Sequence, residues 1–132
     1  MFKHTRTFSS FSVDDLNKAK EFYENTLGIK AEEYKDMGLK LHLSDKSVIF
    51  IYPKPNHEPA TFTVLNFVVD DIDTALEALT EKGVIFINYD IEQIPQDEKG
   101  IHRGLNAGKG PDIAWFEDPA GNILSVLQDN KI

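Results

Sequence analysis

The feature that most limits how this chain can fold is an internal repeat. Phe11-Ser12-Val13-Asp14-Asp15-Leu16 lines up with Phe67-Val68-Val69-Asp70-Asp71-Ile72. In the same register Ala19 falls on Ala75, Glu21 on Glu77 and Tyr23 on Leu79. With one residue removed, Gly28-Ile29 falls on Gly83-Val84. Further on, residues 47–51 fall on 122–126, which sets Phe50 against Ser125. Similarity sustained in this way points to one supersecondary unit used twice.

Each copy reads as β-α-β-β-β. Residues 5–13 alternate loosely and are rich in Phe, Ser and Thr, as a strand is. Asp14 or Asp15 then caps a helix by accepting a hydrogen bond from an amide of the first turn. Leu16, Ala19, Phe22 or Tyr23, and Leu27 mark one helical face, and Gly28 ends it. Strands follow at 31–35, 39–43 and 47–52, with turns at Met37-Gly38 and Ser44-Asp45-Lys46. Residues 53–59 hold three prolines and Asn56, the composition of a linker.

The second copy opens with a strand at 62–69 and a helix capped by Asp70 or Asp71. Ile72, Ala75, Leu76 and Leu79 form its apolar face, and Gly83 closes it. A strand is expected at 84–89, and a polar loop with four glycines at 95–112. Two last strands flank Asp118-Pro119-Ala120-Gly121. Pro119 fixes one backbone dihedral of that turn, Gly121 tolerates a positive one, and Asp118 caps it. The expected fold is α+β: a single domain over 1–132, with modules at about 5–52 and 61–128 and a linker at 53–60.

Composition excludes some functions. A net charge of −8 disfavours binding to nucleic acid phosphates. The longest apolar run, 48–52, is far too short to span a bilayer, so no membrane partner is expected. The absence of cysteine rules out disulfides and thiolate metal sites. The first residues lack the apolar core of a signal peptide, so the expected compartment is the cytoplasm.

Val13-Asp14-Asp15-Leu16, Phe22-Tyr23 with Leu27-Gly28, and Val69-Asp70-Asp71-Ile72 join Trp115-Phe116-Glu117-Asp118-Pro119-Ala120-Gly121-Asn122 in a recognisable set. Together they resemble the vicinal oxygen chelate superfamily over residues 5–128. That group includes glyoxalase I, extradiol dioxygenases, fosfomycin resistance enzymes and bleomycin resistance proteins. The resemblance implies two curved mixed sheets forming an open cup. It also implies one divalent metal, held by His, Gln or Glu from the first and last strand of each module. Carried over residue by residue, those four positions are Phe8, Phe50, Val64 and Ser125. Phe and Val have no lone pair to give, and a lone serine hydroxyl is a poor ligand. The expectation is therefore no metal and no cofactor.

An apolar cup with a few polar points suits a small organic ligand. Strand alternation turns Phe8 and Ser10, like Val64 and Asn66, to the cup side. The expected lining is Phe8, Ser10, His42, Phe50, Val64, Asn66, Trp115 and Ser125. The expected function is metal-free binding of a planar or amphipathic small molecule, by a homodimer. The alternative is a glyoxalase-like lyase or isomerase with an atypical site, which needs His42, Glu58 or His102 to converge. A folded remnant that only binds a partner is the third reading. His102, Arg103 and Lys109 are expected on a mobile basic loop over the pocket, and His4 and His57 in solvent. A ferredoxin-like arrangement, the runner-up fold, leaves the 118–121 hairpin unexplained.

Overall fold

Two aspartates start the two helices. Asp15 is extended (φ −133°, ψ 107°) and its carboxylate accepts the Lys18 amide at 3.1 Å. Asp71 repeats the geometry (φ −140°, ψ 106°), accepting the amides of Asp73 and Thr74 at 3.0 and 3.3 Å. In each Asp-Asp pair the second residue is the cap, because the first is still needed to carry the chain out of the strand. The computed structural model describes residues 1–129. The chain divides into two compact units, the first Met1–Pro59 and the second starting at Ala60.

The first unit holds β1 (Ser9–Val13), α1 (Leu16–Glu21), β2 (Lys30–Tyr34), β3 (Gly38–His42) and β4 (Val48–Pro53). Strand order is β1-β4-β3-β2, with β1 parallel to β4 and the other pairs antiparallel. A parallel pair needs a crossover, and α1 supplies it. Residues Phe22–Thr26 continue α1 as a π-helix, in which the Leu27 amide reaches the Phe22 carbonyl at 3.0 Å. The wider turn rotates Tyr23 inward, where it is fully buried with its ring edge-on to Phe22 at 5.1 Å. Gly28, at φ 71°, then turns the chain into β2. Val13, Ala31, Leu39, Leu41, Ile49 and Ile51 alternate with polar and aromatic residues and form the buried face of the sheet.

The second unit holds β5 (Thr63–Val68), α2 (Ile72–Glu81), β6 (His102–Arg103), the single turn α3 (Gly104–Ala107), β7 (Asp112–Glu117) and β8 (Ile123–Gln128). Its order, β5-β8-β7-β6 with β5 parallel to β8, repeats that of the first unit. The Ile72 amide at the start of α2 is taken by the side chain of Gln128 on β8 at 2.9 Å. Ala114, Phe116, Leu124 and Val126 make the buried face, with Ile72 and Leu76 of α2. Both units are thus four-stranded mixed sheets with a helix crossover, the α+β arrangement expected, and the ferredoxin-like alternative falls away.

The strand expected at 84–89 does not form. Its one sheet-like bond runs from the Ile87 amide to the Trp115 carbonyl at 2.9 Å. Gln96 takes the neighbouring backbone groups: its Oε1 accepts the Tyr89 amide at 2.9 Å, and its Nε2 donates to the Ile87 and Gly100 carbonyls at 2.8 and 2.7 Å. A side chain has displaced a strand partner, so the edge of β7 is completed by β6 instead.

The loop from 95 to 112 is also held, not loose. Arg103 grips Asp73 of α2 through two bonds, Nη2 to Oδ1 at 2.8 Å and Nη1 to Oδ2 at 3.1 Å. Its Nε donates to Asp97 at 3.1 Å, and Asp112 lies 3.6 Å from Nη1. Lys99 adds a bond to Asp73 at 3.0 Å. The Arg103 bonds, then that of Lys99, hold the Asp73 carboxyl well below the usual carboxylate range. Burial opposes the charge on Asp97, but the amides of Ile101 and Lys99 and the guanidinium of Arg103 outweigh it and lower that carboxyl too. Such depressed carboxyls stabilise the fold at pH above the ordinary aspartate value of about 4 and lose that contribution as pH falls through the folded value. Arg103→Met is expected to cost about 1–2 kcal/mol at pH 7, after allowing for partial exposure. Urea unfolding at a series of pH values checks this: the gap between variant and parent should narrow as the pH drops below about 4.

Candidate binding site

In each unit the helix covers one sheet face and the other face is left to side chains. On the first unit that open face is aromatic. Ser10, Phe50, Lys40 and Glu32 stand in one cross-strand row, and Ser12, Tyr52, Gly38 and Tyr34 belong to the next. Phe50 is the centre: its ring meets Tyr34 edge-on at 6.2 Å and stacks on Tyr52 at 6.3 Å with 18° between planes. Gly38 makes this possible. A Cβ there would sit 2.2 Å from the Ile51 carbonyl oxygen and 3.0 Å from the tip of the Phe50 ring.

Beside these rings lies a cavity of about 290 Å³, with Arg6, Phe8, Met37, Lys40, His42 and Val48 on its other sides. Lys40 Nζ stands 4.0 Å above the Tyr34 ring centre, and the Arg6 guanidinium lies 5.6 Å from that of Phe8. A cation over an exposed ring gains about 0.5–1 kcal/mol. A hydrogen bond to a charged group is worth about 1.5–3 kcal/mol. The rings therefore position these two cations without using their hydrogen-bonding capacity. His42 Nε2 meets Glu32 Oε1 at 2.9 Å across β2 and β3, and this bond, followed by the weaker effect of nearby cations, lowers the Glu32 carboxyl.

The second unit has its own cavity, of about 200 Å³. Trp115 and Tyr89 form its aromatic side, edge-on at 5.6 Å, with Ile91, Ile94 and Ile123 completing an apolar lining. The Trp115 indole nitrogen donates to Thr63 Oγ1 at 3.2 Å. Burial, then the charge of Glu117, pushes the Tyr89 hydroxyl above its ordinary range.

The eight residues expected from the sequence are therefore distributed. Phe8, His42 and Phe50 line the first cavity, and Trp115 lines the second. Ser10 is exposed opposite Phe50. Val64 lies in a bulge of β5, where the register shifts between Thr63 and Leu65, so Thr63 stands opposite Ile123 in its stead. Asn66 pairs with Ser125, whose hydroxyl donates to Asn66 Oδ1 at 2.5 Å and is fully buried. Arg6, Tyr34, Met37 and Val48 of the first cavity, and Tyr89, Ile91 and Ile94 of the second, were not singled out by the pattern. For Tyr34 the one signal was Gly38, read as a turn glycine but standing at the start of β3 opposite Tyr34 and against the Phe50 ring.

The histidine candidates are each engaged locally. His57, expected in solvent, reaches Ser12 Oγ through Nδ1 at 2.6 Å and ties the linker back to β1. His102 Nδ1 donates to the Pro95 carbonyl at 2.8 Å. His4 stacks on Phe2 at 5.5 Å, and Glu58 is exposed. Among the described residues no three His, Asp or Glu side chains come together as metal ligands. Phe8, Phe50 and Val64 offer no donor atom, and the buried Ser125 hydroxyl is engaged as hydrogen-bond donor to Asn66 Oδ1. The residues present do not fit a divalent ion of the kind the resemblance implies. No helix of the described residues is long and apolar enough to cross a membrane.

Two β-α-β-β-β units of the same strand order, each with one open face, define a duplicated-module protein. The sequence matches the family described as Glyoxalase/Bleomycin resistance protein/Dioxygenase superfamily over residues 2–126, and the chain belongs to that superfamily. No curated protein gives a significant match. Among solved structures, the genomically encoded fosfomycin resistance protein FosX from Listeria monocytogenes superposes with a TM-score of 0.68 at 15% identity, over 98% of this chain and 97% of that one. TnmS3, an antibiotic binding protein from Streptomyces sp. CB03234, gives 0.64 at 22% identity, over 98% and 100%. A superfamily member from Sphaerobacter thermophilus DSM 20745 gives 0.64 at 22%, over 95% and 98%. At these identities the likeness is one of fold.

Gly38→Ala is expected to disturb the site and the fold together. The added methyl meets a backbone carbonyl, which cannot swing aside, so a cost of about 2–3 kcal/mol follows. Thermal unfolding measures the loss, and near-ultraviolet circular dichroism should report the altered packing of Tyr34 and Phe50.

Proposed function

We propose that this protein binds a flat small organic molecule in the cavity of its first unit, without a metal. The observation that supports this reading best is the Phe50 ring, braced by Tyr34 and Tyr52 along the edge of a cavity of about 290 Å³. A braced ring offers a planar apolar surface at little further cost in side-chain entropy. A likeness in fold to an antibiotic binding protein is consistent with such a role. The donor-poor residues at the superfamily's metal positions favour binding that needs no ion.

A homodimer belongs to the same proposal. Phe62 and Ile85 are 67% and 83% exposed, the kind of apolar surface that a second copy covers. Sedimentation velocity measures it directly.

A second reading, a lyase or isomerase of the same superfamily, has one observation in its favour. A carboxylate-bonded imidazole, His42 with Glu32, stands at the cavity. Turnover abolished by His42→Gln with ligand affinity retained would select it.

The binding reading is tested by calorimetric titration of neutral one- and two-ring aromatics, with and without EDTA. Phe50→Leu keeps apolar volume but removes the ring, and should weaken binding of a two-ring probe by about 1 kcal/mol, roughly fivefold. EDTA should change nothing. Binding lost on chelation and restored by a divalent ion would sink the metal-free reading.

A further inference from the structure

The chain carries a net charge of −8, yet the rim of the first unit's cavity is cationic. Arg6 and Lys40 both line it. Three other cations are paired with carboxylates: Arg103 with Asp73 and Asp97, Lys99 with Asp73, and Lys20 with Glu33. Arg6 and Lys40 line the cavity without such a pair; Lys35 also lies over the Tyr34 ring, at 5.1 Å, but does not line the cavity. Among the described residues neither Arg6 nor Lys40 has a carboxylate within ion-pair distance, and the contacts that hold them are aromatic faces. The Tyr34 ring carries Lys40 on the same face of the sheet as Phe50, since Lys40 and Phe50 are direct cross-strand partners. The nearest acidic competitor, Glu32, faces Lys40 across β2 and β3 but gives its close hydrogen bond to His42.

From this juxtaposition we infer that the ligand of the first unit is an aromatic anion: a flat ring system bearing one carboxylate, sulfonate or phenolate group. The ring lies along Phe50, beside the Tyr34 ring that stands edge-on to it. The anionic group accepts hydrogen bonds from Lys40 and Arg6, neither of which is within ion-pair distance of a carboxylate among the described residues, although Glu32 acts on Lys40 from across the strands. This specificity rests on the binding reading given above and adds to it the sign of the charge. An anionic ligand also suits an acidic protein for a physical reason. Its general field repels anions, so a local pair of cations at an apolar pocket is where one can be held.

The test compares 2-naphthoate with 2-naphthamide, which share ring and shape and differ in charge. Affinities are measured by calorimetry on the full chain at low and at moderate salt. The acid is expected to bind about tenfold tighter than the amide at low salt, and the ratio to shrink as salt rises. Lys40→Met and Arg6→Met should each reduce the ratio in part, and the double variant should bring it to near unity. Lys18→Met, an exposed lysine on α1, should leave it unchanged. Equal affinity for acid and amide, or tighter binding of the amide, overturns the inference and leaves the binding reading standing. Failure of both probes to bind overturns both.

Discussion

In each unit the first strand is hydrogen-bonded to the last, in parallel, and the rest of the architecture depends on that pairing. Parallel neighbours cannot be joined by a tight turn, so the chain must leave the sheet and return. The helix that makes the crossing covers one face and leaves the other without a layer. This is why buried aliphatic residues and half-exposed aromatic or charged residues alternate so regularly along β3 and β4. The asymmetry also leaves one sheet face open without any insertion: the open face exists because the topology has no second helix to put there.

The two units have spent that open face differently. In the first, a glycine in β3 lets three rings pack together and two cations rest on aromatic surfaces. In the second, the polar groups pair with one another, Ser125 with Asn66 and Trp115 with Thr63, and the cavity beside Trp115 is lined mainly by apolar side chains. Duplication supplied one scaffold twice, and the polar chemistry then diverged. Membership of the superfamily explains the scaffold. At the positions where the resemblance would place metal ligands, Phe8, Phe50, Val64 and Ser125 do not supply a fitting donor set.

Much of the fold was legible because its punctuation is local. Asp15 and Asp71 cap helices through their own side chains, and Gly28 and Gly83 take the left-handed conformations, at φ 71° and 93°, that a helix-ending glycine is used for. What escaped the sequence was set by distant partners. Residues 84–89 have strand-like composition, but Gln96 satisfies the backbone groups a neighbouring strand would have used. The bulge in β5 shifts alternation by one residue, so Thr63 stands where simple counting places Val64. Arg103 reads as a loop cation until Asp73, thirty positions earlier, is seen to hold it. The site was legible in part for the same reason: Phe8, His42 and Phe50 follow from alternation, whereas Tyr34 joins them only through the missing side chain at Gly38.

The placement of β8 has a consequence for how the chain is made. It lies inside its sheet, between β5 and β7, yet of the eight described strands it is the last to leave the ribosome. Until it emerges, β5 has no ladder partner, and the first amide of α2 has no Gln128 to bind it. Synthesis of the second unit therefore proceeds with its two halves unjoined, and order arrives late and over long sequence separation, when one segment is inserted into a waiting gap. In the first unit the corresponding strand, β4, is complete by Pro53. The nascent chain thus holds one finished sheet while the other still lacks its middle.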